Sequence, residues 1–544
     1  MATPTGGIAH RPAVMGRRGA VASAHPLSTL AGLMMLQQGG NAVDAAVAMA
    51  AALNVVEPYM SGAAGVGYMV ITVPGASAPL VLDYIGRAPA AASPDQFADE
   101  ESKDWGIRSP LVPGALGGWL MALERFGRLD RAAVFAPAIE WAEHGFPLTI
   151  NNSRTFGLMA PRLSRFATTS STYLPGGEAP PPGAVLRQTD LARTFRTIVD
   201  GGGEAFYRGP IAAEIVRFSQ ANGGLLTADD LATYVPTWVE PISTGYRGYT
   251  VFCPPLPCSG MQYLETLNLV EGFDMAGMGH NSADSIHTLA EAMKLSLADR
   301  TTYAPDPTSP IEYLLSPGYS TERRALIDPR RAGYSGGDRF TSTKHANEVL
   351  PGNVERALRE STTHFVAADL EGYVVATTQT LGAPFGSAVV HGDTGLVLNN
   401  FAHWFDLDPA SPNVIAPNKQ VEMCLAPSQI WRDGKPYLLV GTPGSFGIME
   451  TTPQMMMNVI DHGFSIQAAI EAARFRTATG TELLMESRVA PEVVEELTRR
   501  GHDVKLQDPF TMLFGGGQGI VIDPESGAFS AGADPRRDGY ALAH

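Results

Sequence analysis

Hydroxyl side chains stand where a polar segment meets a β-rich one, in the run Glu360-Ser361-Thr362-Thr363-His364. Cleavage of the backbone between Ser361 and Thr362 would give Thr362 a free α-amine. Such an amine has a pKa of about 8, so a useful fraction is neutral near pH 7. The amine can then accept the proton of the Thr362 hydroxyl while that hydroxyl attacks an amide carbonyl. One residue would supply both nucleophile and base.

By itself this run proves little. Hydroxyl residues are common at strand starts and in turns, so an ordinary surface strand explains the local pattern equally well. The rest of the chain has to decide between the two interpretations.

The composition is that of a folded globular chain, with 44% hydrophobic and 17% charged residues among 544. A formal net charge of -16 repels phosphate backbones, so nucleic acid is not an expected partner. The longest apolar stretch, residues 42–56, contains Asp44 and Asn54 and is too short to cross a bilayer. No membrane partner is therefore expected.

The sequence predicts neither a metal site nor a cofactor. Cys253 and Cys258 have C-x4-C spacing without a second pair, and Cys424 stands alone, so neither a zinc site nor a disulfide framework is predicted. The glycine-rich segment 61–67 lacks the Gly-Lys-Ser/Thr ending of a phosphate loop. Few cysteines, and an N-terminus without the apolar core of a signal peptide, predict a cytoplasmic protein.

Helical patterns dominate the chain before residue 333. Asn41 is a good N-cap for an alanine-rich helix over 42–53, which follows a first helix over 26–38. A strand over 68–73 follows the glycine-rich segment. Further helices are predicted over 114–126, 132–144, 190–200, 210–221 and 285–299. The polar segment from about 333 to 359 predicts an exposed loop.

Strand patterns dominate after Ser361. The runs 364–368 and 373–380 flank Leu370-Glu371-Gly372, which is typical of a hairpin. Further strands are predicted over 396–398, 430–431, 437–440, 519–522 and 528–531, and helices over 452–461 and 466–475. A helix-rich first part and a strand-led second part favour one layered α/β body built from both.

Ordered motifs along the whole chain resemble those of one family. They are Gly39-Gly40-Asn41-Ala42-Val43-Asp44-Ala45-Ala46, Val56-Glu57-Pro58, Val112-Pro113-Gly114, Phe206-Tyr207-Arg208-Gly209, Glu360 to Phe365, Leu398-Asn399-Asn400, Gly441-Thr442-Pro443-Gly444-Ser445 and Ala533-Asp534-Pro535-Arg536. With these motifs the chain resembles the γ-glutamyltransferase family of N-terminal nucleophile hydrolases, from about residue 8 to the C-terminus.

The resemblance implies an α/β fold, a four-layer αββα sandwich formed by both halves of the chain. It implies autoproteolysis into a large subunit, residues 1–361, and a small subunit, residues 362–544, which begins with the nucleophile Thr362. Thr380 matches the threonine that hydrogen-bonds the nucleophile. The backbone N–H groups of Gly444 and Ser445 match the oxyanion hole, with Ser445 in place of a second glycine. A homodimer of the processed pair is a further expectation.

The pocket that holds the γ-glutamyl group in the family looks altered in this chain. The family's arginine for the α-carboxylate aligns with Ile85, and its ammonium-binding aspartate aligns with Trp404. The family's serine pair reads Met423-Cys424, and one of its asparagines reads Gly382. Burying an ammonium group without its carboxylate partner is strongly unfavourable, so a zwitterionic γ-glutamyl head should bind poorly.

Other residues are predicted to bind the substrate instead. Arginine favours a bidentate grip on carboxylates, and Arg87 lies close to the lost arginine position. The other predicted substrate-binding residues are Phe401, His403, Trp404 and Cys424. A structural ion pair for Arg87, and core positions for the aromatic residues, are the competing interpretations. The altered pattern resembles the oxamate amidohydrolase branch of the family.

The leading hypothesis is therefore an autoprocessed amidohydrolase that cleaves a small carboxylate-bearing amide, such as oxamate, through an acyl-Thr362 intermediate. The second hypothesis is γ-glutamyl hydrolysis or transfer, as in a glutathione hydrolase. The third is a β-lactam side-chain acylase. The non-enzymatic alternative is a chain that keeps the fold but has lost processing.

Overall fold

The computed structural model describes residues 6–99, 101–333, 361–477 and 480–544. The polar segment that predicts an exposed loop lies almost wholly outside these residues. Across the described ranges, no helix combines the length and the apolar character that a membrane crossing requires.

The strands of the described residues are, in chain order, β1 (Val14–Gly16), β2 (Gly19–Ser23), β3 (Val66–Thr72), β4 (Leu80–Asp83), β5 (Phe146–Pro147), β6 (Val185–Leu186), β7 (Thr237–Val239), β8 (Ile242–Tyr246), β9 (Tyr249–Cys253), β10 (Ser361–Asp369), β11 (Val374–Gly382), β12 (Ser428–Arg432), β13 (Lys435–Gly441), β14 (Phe475–Thr477), β15 (Glu482–Glu486), β16 (Asp503–Gln507), β17 (Gln518–Ile522), β18 (Phe529–Ala533) and β19 (Tyr540–Ala543).

The α-helices of the described residues are, in chain order, α1 (Pro26–Gln37), α2 (Ala42–Val56), α3 (Ala115–Phe126), α4 (Arg131–His144), α5 (Ile150–Leu163), α6 (Ala167–Tyr173), α7 (Thr189–Tyr207), α8 (Pro210–Ala221), α9 (Ala228–Ala232), α10 (Met261–Val270), α11 (Met275–Met278), α12 (Ala283–Tyr303), α13 (Ile311–Leu314), α14 (Pro317–Arg324), α15 (Ile448–Ile460), α16 (Ile466–Glu471) and α17 (Pro491–Arg499).

Two seven-stranded antiparallel sheets contain most of these strands. Sheet I has the order β19-β2-β10-β11-β3-β4-β7, and sheet II has the order β1-β18-β17-β13-β12-β9-β8. In sheet I, β10 and β11 lie side by side and are flanked by β2 and β3 from the first part of the chain. Both parts of the chain therefore contribute strands to both sheets.

Three apolar layers hold the sheets and helices together. Small and branched side chains such as Ala22, Ala376, Leu439 and Ala531 fill the space between the two sheets. A second core joins the outer face of sheet I to α1–α4 and α7, and a third joins the outer face of sheet II to α10, α12 and α15. This order of layers confirms the predicted αββα sandwich.

Helix α2 supports the strand that begins the second part of the chain. It is buried along its whole length. Asn41 caps it as predicted, because the asparagine side chain accepts from the Asp44 N–H and the Asp44 carboxylate accepts from the Asn41 N–H at 2.8 Å. The small alanine side chains let α2 pack closely against α1 and β10.

Two predicted elements are wrong. No strand forms over 396–398, because the Leu398 carbonyl accepts from both the N–H and the Oγ of Ser387, at 2.9 and 3.0 Å. Only an isolated bridge joins Val390 to Val397. The helix predicted over 466–475 ends at Glu471, because Ala472 is extended and the chain enters β14.

Candidate active site

Thr362 is the second residue of β10, where the strand pairing is irregular. Ser361 pairs with Gly382 and Thr363 pairs with Gln379, so the register shifts across Thr362. A bulge of this kind re-aims a side chain that regular pleating would otherwise fix. Thr362 is only 4% exposed. The predicted nucleophile thus lies at an irregular, enclosed position next to the predicted cleavage point.

Thr380 lies near the end of β11, on the strand next to β10. Its Oγ1 accepts a hydrogen bond from the Gly382 N–H at 2.7 Å. The glycine-rich segment 61–67 approaches this point closely, because a Cβ on Gly65 would lie 2.5 Å from the Thr380 carbonyl oxygen. Only a residue without a side chain permits that approach, so this segment fixes the backbone of the predicted helper threonine.

The predicted oxyanion-hole residues Gly444 and Ser445 lie in a turn after β13, called here the oxyanion turn (residues 444–447). Gly444 has a φ of 133° and Ser445 a φ of 55°. For a serine this backbone conformation costs about 1–2 kcal/mol. The turn leads directly into α15. The first N–H groups of a helix lack partners within it, and such donors can stabilise a developing negative charge.

A chain of contacts joins this turn to the nucleophile. The Arg537 guanidinium donates to the Thr362 carbonyl oxygen at 3.2 Å. The arginine stem packs on Gly516, where a Cβ would lie 2.7 Å from the arginine Cδ. The Gly516 N–H donates to Thr442 Oγ1 at 2.8 Å, two residues before Gly444. The structure therefore brings the predicted catalytic residues into one neighbourhood, while their roles stay predictions.

His364, two residues after Thr362, is held within the core. Its Nδ1 is 2.8 Å from Thr378 Oγ1, and its ring packs on Gly441, where a Cβ would lie 2.4 Å from the imidazole. Burial lowers the pKa of His364 to about 3, so the ring is neutral at physiological pH. Both contacts fix the ring within the core.

An aromatic wall formed by Trp404 and Phe446 stands beside the oxyanion turn. The two ring centroids are 5.1 Å apart, and Phe446 is itself a residue of the turn. Phe401 extends the wall, with its ring 6.4 Å from that of Trp404. Cys424 belongs to the same buried apolar cluster. An indole thus occupies the position where the family resemblance places an aspartate.

Arg300 is a buried cation behind this wall and lies outside every motif quoted above. Its guanidinium lies over the Phe446 ring at 3.7 Å. Its Nη1 donates to Glu422 Oε1 at 3.1 Å, an oxygen that also accepts from Ser259 Oγ. Burial lowers the pKa of Arg300, and the Glu422 carboxylate opposes that effect. In sequence, Arg300 resembles any basic residue at the end of a helix, so no local signal marks it.

The remaining predicted substrate-binding residues lie outside the wall. Arg87 is exposed, and its backbone forms an isolated bridge with Gln420. His403 Nδ1 lies 2.5 Å from the Asp104 carboxylate. Neither side chain is hydrogen-bonded to β10 in the described part of the chain. Their binding of substrate stays a prediction.

A candidate metal-ligating group exists elsewhere in the described residues. His287, Glu291 and His502 bring ligand atoms within 4.8 Å of one another. However, His287 Nδ1 lies 2.8 Å from His502 Nε2, and the Glu291 carboxylate pairs with Lys294 at 2.7 Å. These groups bind each other, so their arrangement does not require an ion.

Two facing antiparallel sheets between helical layers, with an enclosed threonine at the start of a central strand, define the fold class of N-terminal nucleophile hydrolases. The sequence model of the gamma-glutamyltranspeptidase family matches residues 28–544, and the chain belongs to this family. It is therefore an enzyme of the hydrolase and acylase class that its relatives represent.

Three relatives illustrate the range of the similarity. The acylase ACY 1 proenzyme of Pseudomonas sp. (strain V22) is 36% identical over 97% of this chain and 94% of its own length. The glutathione hydrolase proenzyme of Bacillus subtilis (strain 168) is 35% identical over 97% and 92%. The crystal structure of cephalosporin acylase from Bacillus halodurans superposes with a TM-score of 0.89 at 33% identity, covering 99% of this chain and 98% of that one.

Proposed function

We propose that this chain is a proenzyme that cleaves itself before Thr362 and then hydrolyses an amide whose acyl group bears a carboxylate but no ammonium group. The aromatic wall is the observation that carries the proposal. Trp404 and Phe446 stand beside the oxyanion turn, where a γ-glutamyl substrate would need a carboxylate for its ammonium group. An apolar wall instead favours an acyl chain without that charge.

The proposed reaction proceeds through an acyl-enzyme. Thr362 Oγ1 attacks the amide carbonyl while the α-amine accepts the hydroxyl proton. The N–H groups of Gly444 and Ser445 would bind the negative carbonyl oxygen, and one such donor is worth roughly a hundredfold in rate. The C–N bond then breaks, the leaving amine takes the proton, and water hydrolyses the Thr362 ester.

The position of Arg87 supports the carboxylate in this proposal. It follows Ile85, a member of the same buried cluster as Trp404, by two residues, and its own side chain is exposed. An exposed arginine next to this buried cluster could bind a carboxylate at the outer end of an acyl chain. Oxamate is a narrower version of the same proposal, and the similarity to known proteins adds nothing in its favour.

Glutathione hydrolysis is the second candidate. The relative from Bacillus subtilis, a glutathione hydrolase proenzyme, matches this chain almost end to end.

A cytoplasmic location is also proposed, and the three free cysteines of the described chain are consistent with a reducing compartment.

A gel tests the processing step. Purified wild-type protein should separate into chains of residues 1–361 and 362–544, and Thr362→Ala should remain one chain without amidase activity. Thr363→Ala is the matched control, since it removes the adjacent hydroxyl and should leave processing intact. A wild-type protein that stays one band would contradict the proposal and favour the non-enzymatic alternative.

Two substrates that differ by a single group test the pocket. Glutaryl-p-nitroanilide and γ-glutamyl-p-nitroanilide have the same chain length, and only the second carries an α-ammonium group. We expect kcat/KM for the glutaryl amide to be at least about tenfold higher, because Trp404 stands where the family resemblance places the aspartate that binds the ammonium group. A preference for the γ-glutamyl amide would refute the proposed specificity, and ammonia release from oxamate tests the narrower version.

A further inference from the structure

Arg537 is a buried guanidinium that contacts the predicted nucleophile. Its neighbour Arg536 forms close ion pairs with Glu486 and Asp534, at 2.7 and 3.1 Å. Arg537 forms no salt bridge with any residue that the structure describes. Its hydrogen bonds go to the Thr362 carbonyl oxygen at 3.2 Å and to the sulfur of Met60.

A buried cation without a close counter-charge is unfavourable, so its presence beside the nucleophile calls for a specific role. The guanidinium is held there by the fold, because its stem packs on Gly516. Its charge is therefore fixed relative to the Thr362 backbone.

None of the acidic groups near Arg537 forms an ion pair with it in the described part of the chain. Glu57, at the end of α2, is buried, and burial raises the pKa of its carboxyl to about 8 against the opposing effect of Arg537. Asp534 is already paired with Arg474 and Arg536. The other facing groups are the buried phenol of Tyr59, which is neutral, and Asp538, which accepts hydrogen bonds from Thr149 and Asn151.

We propose that Arg537 is an electrostatic positioning residue: by holding the Thr362 carbonyl it keeps a positive charge beside the α-amine of the processed enzyme and favours the neutral, proton-accepting form of that amine. This inference rests on the proposed function, since the amine exists only after cleavage before Thr362.

The size of the effect follows from covalent geometry. The nitrogen and carbonyl oxygen of one residue are about 3 Å apart, so the guanidinium nitrogen lies within about 6 Å of the amine. A unit charge at that distance in a partly buried site shifts a pKa by about one to two units. The Thr362 amine should therefore titrate at a pH of about 6–7, below its ordinary value of about 8.

The wild-type enzyme gives the first test. The processed protein is treated with acetic anhydride at a series of pH values, and acetylation of the N-terminus of the 362–544 chain is followed by mass spectrometry. A midpoint at a pH of about 6–7 supports the proposal. A midpoint at pH 8 or above overturns it.

Charge variants give the second test. Arg537→Gln should move the acid limb of the kcat/KM profile upward by about one to two pH units, whereas Arg537→Lys should keep it near the wild-type position. Arg217→Gln, which removes an exposed arginine of α8, is the control and should leave the profile unchanged.

The possible outcomes separate this inference from the proposed function. If the wild-type protein remains one band on a gel, the proposed function itself is refuted. If the wild type is processed but its Thr362 amine titrates at pH 8 or above, only the role of Arg537 is refuted. If Arg537→Lys fails to process, or if Arg537→Gln leaves the acid limb in place, the arginine acts through its shape and the proposal is wrong. If only Arg537→Gln fails to process, the wild-type amine decides: a midpoint at a pH of about 6–7 supports the proposal, and one at pH 8 or above overturns it.

Discussion

Replacing Gly65 by alanine should displace the backbone that carries Thr380. The added Cβ would lie 2.5 Å from the Thr380 carbonyl oxygen, whereas ordinary contact begins at 3.4 Å. Gly65 cannot easily retreat, because its carbonyl accepts from the N–H groups of Gly114 and Ala115 at 2.9 Å each. The end of β11 must therefore move by roughly 0.9 Å, the difference between those two distances.

Overpacking of this kind costs about 1–3 kcal/mol of unfolding free energy. A displacement of about 1 Å at a catalytic group lowers the rate by about a hundredfold. Both effects are measurable, the first by urea denaturation and the second by kcat on an amide that the wild type hydrolyses.

Gly157→Ala is the matched control, because nothing lies within 4 Å of its added Cβ in α5. Alanine there should be neutral or stabilise the protein by up to about 1 kcal/mol. If Gly65→Ala behaves like this control in both assays, the close approach does not position Thr380 and the reasoning is refuted.

Three further predictions address stability and specificity. Arg536→Met should lower the unfolding free energy by about 3–5 kcal/mol in urea denaturation, because it leaves the buried Glu486 carboxylate without its bidentate partner; a loss below about 1 kcal/mol would contradict this. Burial lowers the pKa of His25 from 6.5 to about 3, so the wild type should lose stability as the pH falls below 6.5, by about 2 kcal/mol at pH 5 from this site. His25→Asn should keep the N-cap of α1 and reduce that loss between pH 7.5 and 5, and an unchanged pH dependence would exclude His25 as its source. Arg300→Lys should lower kcat/KM by about tenfold without unfolding the protein, because lysine lacks the planar group that covers Phe446; an unchanged kcat/KM would show that the wall does not depend on this contact.

Strong local patterns made much of the fold predictable. The helix predicted over 210–221 has those bounds, and α2 begins at the predicted cap, because capping and periodicity are decided within a few residues. The strand predicted over 396–398 does not form, because the Leu398 carbonyl accepts its hydrogen bonds from Ser387, which lies outside any β-sheet. The sequence of a short apolar run does not indicate which hydrogen bonds its backbone forms with residues outside the run.

The candidate site was also predictable from the sequence only in part. Thr362, Thr380 and Gly444 lie in recognisable motifs, and the fold brings those segments together. Arg537 and Arg300 have no comparable signal, because a guanidinium that binds a carbonyl 175 residues away has the same local sequence as one in a surface ion pair. Only the three-dimensional structure distinguishes these two uses of arginine.

The interleaving of strands in sheets I and II has a consequence for the lifetime of a mature molecule. After a cut before Thr362, β10 would still bind β2, β11 would still bind β3, and β19 would still bind β2. The two fragments could separate only if the central sheets came apart. A mature enzyme should therefore keep its original pair of fragments, and isotopically labelled and unlabelled molecules mixed without denaturant should form no hybrids.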